Sequence, residues 1–490
     1  MMQLRDIIAD AAVLRVTGST DITVTGLQFD SRKVMPGNLF FAVGGTSSDG
    51  HDFIEMAVKK GASAIVCERI PDSPENDVCY IQVEKSSMAL GIMASAFHGN
   101  PSGKLKLVGV TGTNGKTTIV TLLHMLFFDL GYGTGLISTI VNKINLTEIP
   151  ASHTTPDPLQ LNELLANMAN EGCEYCFMEV SSHAVDQQRI AGLTFRGGIF
   201  TNLTHDHLDY HKTFDAYLQA KKAFFDNLPA EAFALANKDD RNGKVMIQST
   251  RALKFMFSLQ SMADFRCKIL ENEFQGLHLN IDGREAWFKL IGSFNASNLL
   301  AVYATAMLLG QDKTKVVTIL SSMEPVDGRF NYIRSSNQVT AIVDYAHTPD
   351  ALKNVLETIN TIRGHNEQLI TVVGAGGNRD AAKRPVMAGI ACNLSNRVIL
   401  TSDNPRNEEP GTILADMLKG VEMHQSKKVL VIENRLEAIK TACALAKSGD
   451  IILVAGKGHE TYQEIKGVRH HFDDREVVRE IFANDNIVNP

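Results

Sequence analysis

Two kinds of chemistry-bearing residue stand out in this chain, one set suited to gripping phosphate and another suited to gripping carboxylate. The stretch VGVTGTNGKTTIVTLLHML, residues 108–126, runs an apolar strand into a Gly-rich turn, a lysine, two threonines and an amphipathic helix. Against the P-loop pattern G-x-x-x-x-G-K-[ST], Val110 stands where the first glycine belongs, while Gly112, Gly115, Lys116 and Thr117 fall between strand and helix as the mechanism requires. There the backbone N–H groups of the helix start face phosphates, Lys116 neutralises β/γ charge, and the Thr117 hydroxyl can ligate Mg²⁺. The competing reading is a Gly-rich turn with a solvated lysine, which the strand-turn-helix context disfavours.

Other groups carry weaker signals. Glu179, closing the apolar run of YCFMEVSSHAVDQQR, sits where a second metal ligand would face the phosphate loop, although a strand-end carboxylate is more often a solvated surface group. TNLTHDHLDYH, residues 201–211, holds three histidines (His205, His207, His211) and two aspartates. That density suits a transition metal or Mg²⁺ with mixed ligands beside a nucleotide. GAGGNRD, residues 374–380, fails as a dinucleotide fingerprint because Arg379 occupies the third glycine position. An arginine at a strand's carboxyl end suits an anionic substrate instead, and Arg406 in SDNPRNEEP repeats the arrangement with Pro405 fixing the loop. One such arginine is usually a surface ion pair; two in adjacent βα loops favour an anion-gripping site.

Holding these groups in place takes more than one core. At 490 residues the chain exceeds a single domain, and roughly three are expected. Residues 1–99 read as a small α/β unit with strands in GNLFFAVGG, ASAIVCE and VCYIQV, ended by the polar linker HGNPSGK. Residues 100–330 open with the phosphate-loop strand and alternate helices with apolar strands, implying a mostly parallel sheet. After PVDGRFNYI, residues 331–490 form a third βαβ series with strands in TAIVDYA, QLITVVGA, RVILTSD, KKVLVIE and DIILVAG. The expected class is α/β with a central P-loop ATPase-like domain and a C-terminal Rossmann-like domain, with ligands at the carboxyl ends of strands.

A hydrophobic content of 44% and charged content of 21% are those of an ordinary soluble protein. No run approaches the ~20 apolar residues of a membrane helix, and the opening MMQLRDIIAD lacks a signal-peptide core, so the cytoplasm is expected. A net charge of -7 argues against a nucleic-acid partner. Seven cysteines, an odd number, should be free thiols, and the C-x-x-C of Cys173 and Cys176 lies at an apolar run with no second pair nearby.

Taken in order, GTNGKTT, EVSSHAVDQQR, DHLDYH, DYAHTPD, DNPR and AGKGHE resemble the Mur ligases of peptidoglycan synthesis. FDSRKVMPGNLFFA, residues 29–42, is similar to that family's N-terminal UDP-binding unit, so the resemblance spans nearly the whole chain. Within the family it is most similar to the enzymes that add the third amino acid. The family's own phosphate loop is G-T-N-G-K-T, which accounts for Val110.

The resemblance implies an ATP- and Mg²⁺-dependent ligase that joins meso-2,6-diaminopimelate to the D-glutamate carboxylate of UDP-N-acetylmuramoyl-L-alanyl-D-glutamate through an acyl phosphate. It implies that ATP is held by Gly112, Thr113, Asn114, Gly115, Lys116, Thr117 and Thr118 with Asn295, Asn298, Arg329 and Asp344. The metals would lie on Thr117, Glu179 and His207. Lys221 matches the family lysine that CO₂ carbamylates, with Lys222 beside it leaving the register open. Ser31, Thr154, Thr155, Ser181, Gln187 and Arg189 match contacts to the UDP-sugar-peptide. Arg379, Asp403, Asn404, Pro405, Arg406, Gly456 and Glu460 match the acceptor contacts, with Glu460 suited to the second amine.

Family members that add diaminopimelate carry D-N-P-R, as residues 403–406 do. Diaminopimelate is lysine with one more carboxylate, which Arg406 can grip bidentately. With lysine the guanidinium is expected to lie unpaired, at a cost of ~3–5 kcal/mol. Asn378 departs from the Asp common at its position and touches fine positioning alone. The rival readings are the same fold adding lysine or a peptide, a folate-polyglutamate ligase, and a P-loop ATP switch that ligates nothing. A monomer whose domains hinge shut over the substrates is expected.

Overall fold

Short apolar strands that alternate with helices must return through crossovers that cover a sheet face, and three such sheets form. The computed structural model describes residues 1–490 apart from 46, 47, 152, 205, 207, 365, 489 and 490. Near the N-terminus the sheet order is Val13–Thr17, Cys79–Val83, Ala64–Cys67, Asn38–Phe41, Gly26–Gln28, parallel except for the first strand. Its inner strands are buried on both faces, as continuous apolar runs such as LFF and AIVC require.

The second sheet is larger and parallel in its middle, where Thr134–Ile137, Tyr175–Glu179, Lys106–Thr111, Gly197–Phe200 and Phe233–Asn237 lie side by side. One face is covered by Lys116–Asp129 and Ser293–Leu308, which bury Ile119, Leu123, Leu299 and Tyr303. Pro158–Asn170 and Phe214–Asp226 cover the other with Leu161, Leu165 and Phe224. Each fully buried side chain of this size is worth about 1.5–3 kcal/mol. Both edges carry antiparallel extensions that the alternation of helices and strands does not announce. Val141–Ile144 pairs with Thr147–Pro150, and Phe265–Glu273, Gly276–Ile281 and Arg284–Phe288 form a meander. The linker between the first two sheets is also ordered: Pro101–Lys104 is a 3-10 turn whose Ser102 hydroxyl accepts from Thr194 N at 3.0 Å.

In the third sheet the order is Asn331–Arg334, Thr340–Asp344, Ile451–Ala455, Leu369–Ala375, Arg397–Ser402, Val429–Val431, antiparallel at the first pair alone. Asp344, Gly456, Gly376 and Asp403 therefore emerge in a row along one edge. In the central sheet the phosphate loop leaves the strand beside the one that ends in Glu179, which pairs with Val110. Among the described residues no helix is long and apolar enough to cross a membrane.

Candidate active site

The carboxyl ends of the central and C-terminal sheets face one cleft of about 1480 Å³. On the central side its wall begins at the phosphate loop. Gly112 and Gly115 hold φ of 150° and 88°, and a Cβ on Gly112 would sit 1.9 Å from Thr201 Oγ1. Only glycine fits such a turn. The helix that starts at Lys116 buries Thr118 beneath it, while Thr113, Asn114, Gly115, Lys116 and Thr117 line the cleft. Lys116 Nζ donates to the loop's own carbonyls, Gly112 O at 2.9 Å and Thr113 O at 2.8 Å. Burial lowers its pKa, while Glu179 and Asp206 pull the other way.

Glu179 is fully inside rather than solvated. Its Oε1 accepts from Thr117 Oγ1 at 2.9 Å and Thr139 N at 2.8 Å. Hydroxyl and carboxylate oxygen in contact make a hard donor pair of the kind that takes Mg²⁺. Among the described residues no three His, Cys, Asp or Glu side chains converge on a metal; His205 and His207 lie outside the described residues. Lys221 and Lys222 point different ways. Lys222 Nζ pairs with Asp226 at 2.6 Å, whereas Lys221 lines the cleft, its Nζ 3.0 Å from Gly112 O and 4.8 Å from the Tyr217 ring centre. Burial, then the neighbouring Lys116, holds the Lys221 amine well below the usual lysine range.

Next to this pair, Thr154, Thr155, Ser181 and Arg189 continue the wall. Arg189 donates to Thr155 O at 2.8 Å and to Gln187 Oε1 at 2.7 Å, so Gln187 lies behind the cleft as its support. Ser31 is buried in the N-terminal unit and does not line this cleft. Asn295 and Asn298 also lie behind it, linked to one another at 3.0 Å near Gly115.

Arg329 joins the two walls. Its Nη2 donates to Thr117 Oγ1 at 3.1 Å, and its guanidinium lies 4.7 Å from the Tyr345 ring centre. Asp344 is buried beside it, accepting from Phe330 N and Ala346 N, and burial raises its pKa against the pull of Arg329. A second link between the sheets runs from Asn114 Nδ2 to Asp350 Oδ2 at 2.9 Å. Asp206, His347 and Lys383 also line the cleft. Sequence reasoning counted Asp206 within the 201–211 cluster but gave no role to His347 or Lys383, which sit inside or just beyond a quoted motif.

The C-terminal wall holds Arg379, Asp403, Asn404, Arg406, Gly456 and Glu460, with Pro405 inside its loop. Asn404 Nδ2 donates to Glu460 Oε2 at 2.8 Å. Gly456, at φ 117°, has no room for a Cβ, which would fall 2.5 Å from Asp403 Oδ2. Burial and the like charge of Asp403 raise the pKa of Glu460. The two arginine-bearing loops are joined: Gly377 N donates to Asn404 O at 2.9 Å, and Asn407 N to Asn378 Oδ1 at 3.0 Å. Asn378 thus has a role of its own, with φ at 52°.

One expectation needs correction. With lysine as acceptor the Arg406 guanidinium is expected to lie unpaired, but its Nη1 donates to Gly377 O at 2.8 Å and its Nε lies 3.8 Å from Glu464 Oε2. The penalty for an unmatched acceptor is therefore smaller than ~3–5 kcal/mol, because the guanidinium keeps a carbonyl and a partial counter-ion. Of the thiols, Cys173 and Cys176 are free and buried, as expected.

Comparison with known proteins agrees with this arrangement in all three sheets. Residues 23–98 match the model of the Mur ligase family catalytic domain, 110–306 the Mur ligase middle domain, and 328–458 the Mur ligase glutamate ligase domain. A Cytophaga hutchinsonii protein named UDP-N-acetylmuramoyl-L-alanyl-D-glutamate--2,6-diaminopimelate ligase is 60% identical over 98% of this chain and 99% of its own length. A solved structure of a ligase of that name is 33% identical, covers 99% of both chains and superposes with a TM-score of 0.70. The MurF ligase of Thermotoga maritima, solved with ADP, shares the fold at a TM-score of 0.61 and 20% identity, covering 95% of this chain and 98% of its own. Phosphate loop, buried Glu179, bridging Arg329 and paired arginine loops thus sit on an architecture matched from end to end, and the chain belongs to the Mur ligase family.

Proposed function

We propose that this chain is an ATP-dependent amide-forming ligase that adds meso-2,6-diaminopimelate to the D-glutamate carboxylate of UDP-N-acetylmuramoyl-L-alanyl-D-glutamate, in cytoplasmic peptidoglycan precursor synthesis. The observation that carries the reading is the meeting, across Arg329, of a phosphate loop and a wall bearing two arginines and the half-buried Glu460 in one cleft. Units 1–99, 100–330 and 331–490 would carry the UDP-sugar, ATP and the incoming amino acid respectively, with Ser31 serving the first.

A carboxylate cannot expel oxide, so its oxygen first takes the γ-phosphoryl of ATP and ADP leaves. The amine then attacks the carbonyl carbon, and phosphate departs as the amide forms. Both steps accumulate negative charge in the cleft, so fixed positive charge and alignment should supply most of the catalysis. Lys116 would exchange its two loop carbonyls for β/γ-phosphate oxygens. Arg329 would follow the charge as it passes to the acyl phosphate. Thr117 and Glu179, with His207, would hold Mg²⁺, which supplies charge neutralisation at the phosphates.

The depressed basicity of Lys221 favours the uncharged amine, the form that adds CO₂, and this supports carbamylation there. Thr154, Thr155, Ser181 and Arg189 would orient the muramoyl dipeptide, with Gln187 holding Arg189. On the opposite wall Arg379 and Arg406 would take the acceptor's carboxylates, and Asp403, Asn404 and Glu460 its distal amine, with Gly456 and Pro405 shaping the pocket. The reading places the enzyme in solution as a monomer. Mass spectrometry of the nucleotide product tests it: a UDP-muramoyl tripeptide containing diaminopimelate supports the reading, and unchanged UDP-dipeptide alongside ATP hydrolysis contradicts it.

A further inference from the structure

Behind the acceptor wall lies a lysine that the reaction as described does not use. Lys457 follows Gly456 at the end of the strand Ile451–Ala455, is wholly buried and does not line the cleft. A buried ammonium is costly unless every donor finds a partner. Here Nζ donates to Glu460 Oε2 at 3.1 Å and Asn404 Oδ1 at 3.3 Å, and it lies 5.5 Å from the Tyr462 ring centre. All three partners line the cleft or its rim.

The same contacts fix Asn404. Its Oδ1 accepts from Lys457 Nζ and from Glu464 N at 2.9 Å, leaving Nδ2 to donate to Glu460 Oε2. With Lys457 in place the amide has one satisfied orientation, and the Glu460 carboxylate is held at one oxygen with the other left for a ligand. We infer that Lys457 is a positioning residue for the acceptor site: without touching the acceptor, it fixes the direction and the negative charge of Glu460 and the face that Asn404 presents. The inference rests on the reading of Glu460 as the grip on the acceptor's distal amine.

The charge of Glu460 is set by the groups that face it. Burial opposes its ionisation, and Asp403, after the strand Arg397–Ser402, adds to that. Tyr345, after Thr340–Asp344, and Tyr462, on the hairpin strand Tyr462–Ile465, are uncharged neighbours whose own pKa values Glu460 helps to raise. Arg435, on the helix Arg435–Leu445, is a second cation whose charge Glu460 meets; its Nε and Nη2 are turned to Asp474 at 2.8 and 2.7 Å, while its buried Nη1 has no partner among the described residues. Lys457 is the cation in direct contact.

The test compares Lys457→Met, which keeps the volume, and Lys457→Gln, which keeps a donor, in the wild-type and Glu460→Gln backgrounds, so that packing loss in one variant does not decide the matter. The readouts are KM for diaminopimelate, ATP and the UDP-dipeptide, and the pH profile of kcat/KM for diaminopimelate. The expected result is a KM for diaminopimelate raised roughly ten- to a hundredfold, from loss of one charge-assisted contact, with the other two KM values within about twofold. The acid limb should move up by on the order of one pH unit, and the effect should largely vanish in Glu460→Gln. An equal effect in both backgrounds, or a uniform rise of all three KM values, overturns the positioning role while leaving the ligase reading intact. A Glu460→Gln enzyme with unchanged KM for diaminopimelate overturns the assignment of Glu460 itself, and the inference with it.

Discussion

Replacing Arg406 by alanine is the sharpest way to ask what the C-terminal wall recognises. Its guanidinium, about one-fifth exposed at 22%, is braced by Gly377 O at 2.8 Å, and Glu464 lies 3.8 Å away. Two charge-assisted hydrogen bonds to an acceptor carboxylate would be worth ~1.5–3 kcal/mol each. Part of that is spent in displacing Glu464 and water, so the net loss should be about 2–4 kcal/mol, or roughly thirty- to a thousandfold in kcat/KM for diaminopimelate. Lysine lacks that carboxylate, and its far slower reaction should change by no more than about threefold. Backbone strain is a confounder, since Arg406 sits at φ 52°. Asn tolerates that conformation better than Ala, so Arg406→Asn should show the same selective loss. Steady-state phosphate release with each acceptor gives the ratio. Equal losses for both acceptors, or a loss confined to the Ala variant, would show that Arg406 shapes the loop instead of reading a carboxylate.

Other consequences follow from the same geometry. Glu179→Gln keeps an acceptor for Thr117 but removes the charge, so half-maximal Mg²⁺ should rise roughly ten- to a hundredfold with little change in melting temperature; an unchanged Mg²⁺ titration would refute a metal role. Gly112→Ala forces a Cβ within 1.9 Å of Thr201 Oγ1 and should weaken ATP binding by about 1–3 kcal/mol, read by calorimetry; unaltered binding would contradict the tight loop. Removal of dissolved CO₂ should slow the enzyme and bicarbonate restore it, with no such response in Lys221→Arg; indifference to CO₂ in the wild type would exclude a functional carbamate. His124, buried on the phosphate-loop helix, has its pKa lowered to about 4, chiefly by burial. The unfolded chain then binds more protons between about pH 6.5 and 4, so stability present above about 6.5 falls toward pH 4, by on the order of 3 kcal/mol from this residue. Urea titrations of His124→Leu should show a shallower acid decline than wild type; an identical decline refutes it.

Much of the fold was legible because its signals are local. The run into Gly112 and Lys116, and the strands ending at Glu179, Asp344 and Ser402, announce a parallel sheet by continuous apolar stretches followed by polar loops. The edge extensions were missed, although Asp282–Gly283, both at positive φ, is the turn signal that joins the meander's last two strands. The phosphate loop and the paired arginine loops could be read because each lies within a few residues. Asn114 to Asp350 and Arg329 to Thr117 could not, since residues more than two hundred positions apart meet only once the sheets face each other. Burial was equally hidden: Glu179 looks like a surface carboxylate until Thr117 and Thr139 close over it, and Lys457 looks like a loop lysine until its partners are seen. Closure of the N-terminal unit, which carries Ser31, over the cleft is expected to appear as compaction in small-angle scattering when nucleotide and dipeptide are added; identical profiles would count against it.

On the proposed function, this cleft couples ATP cleavage to amide formation with one acceptor. Phosphate release by the purified protein with ATP, Mg²⁺ and the UDP-muramoyl dipeptide, with meso-diaminopimelate, L-lysine or no amino acid added, tests it directly. Release that requires both the dipeptide and diaminopimelate is the predicted result. Release indifferent to every acceptor would contradict the ligase reading, and a preference for lysine would contradict the role given to the Asp403–Arg406 loop.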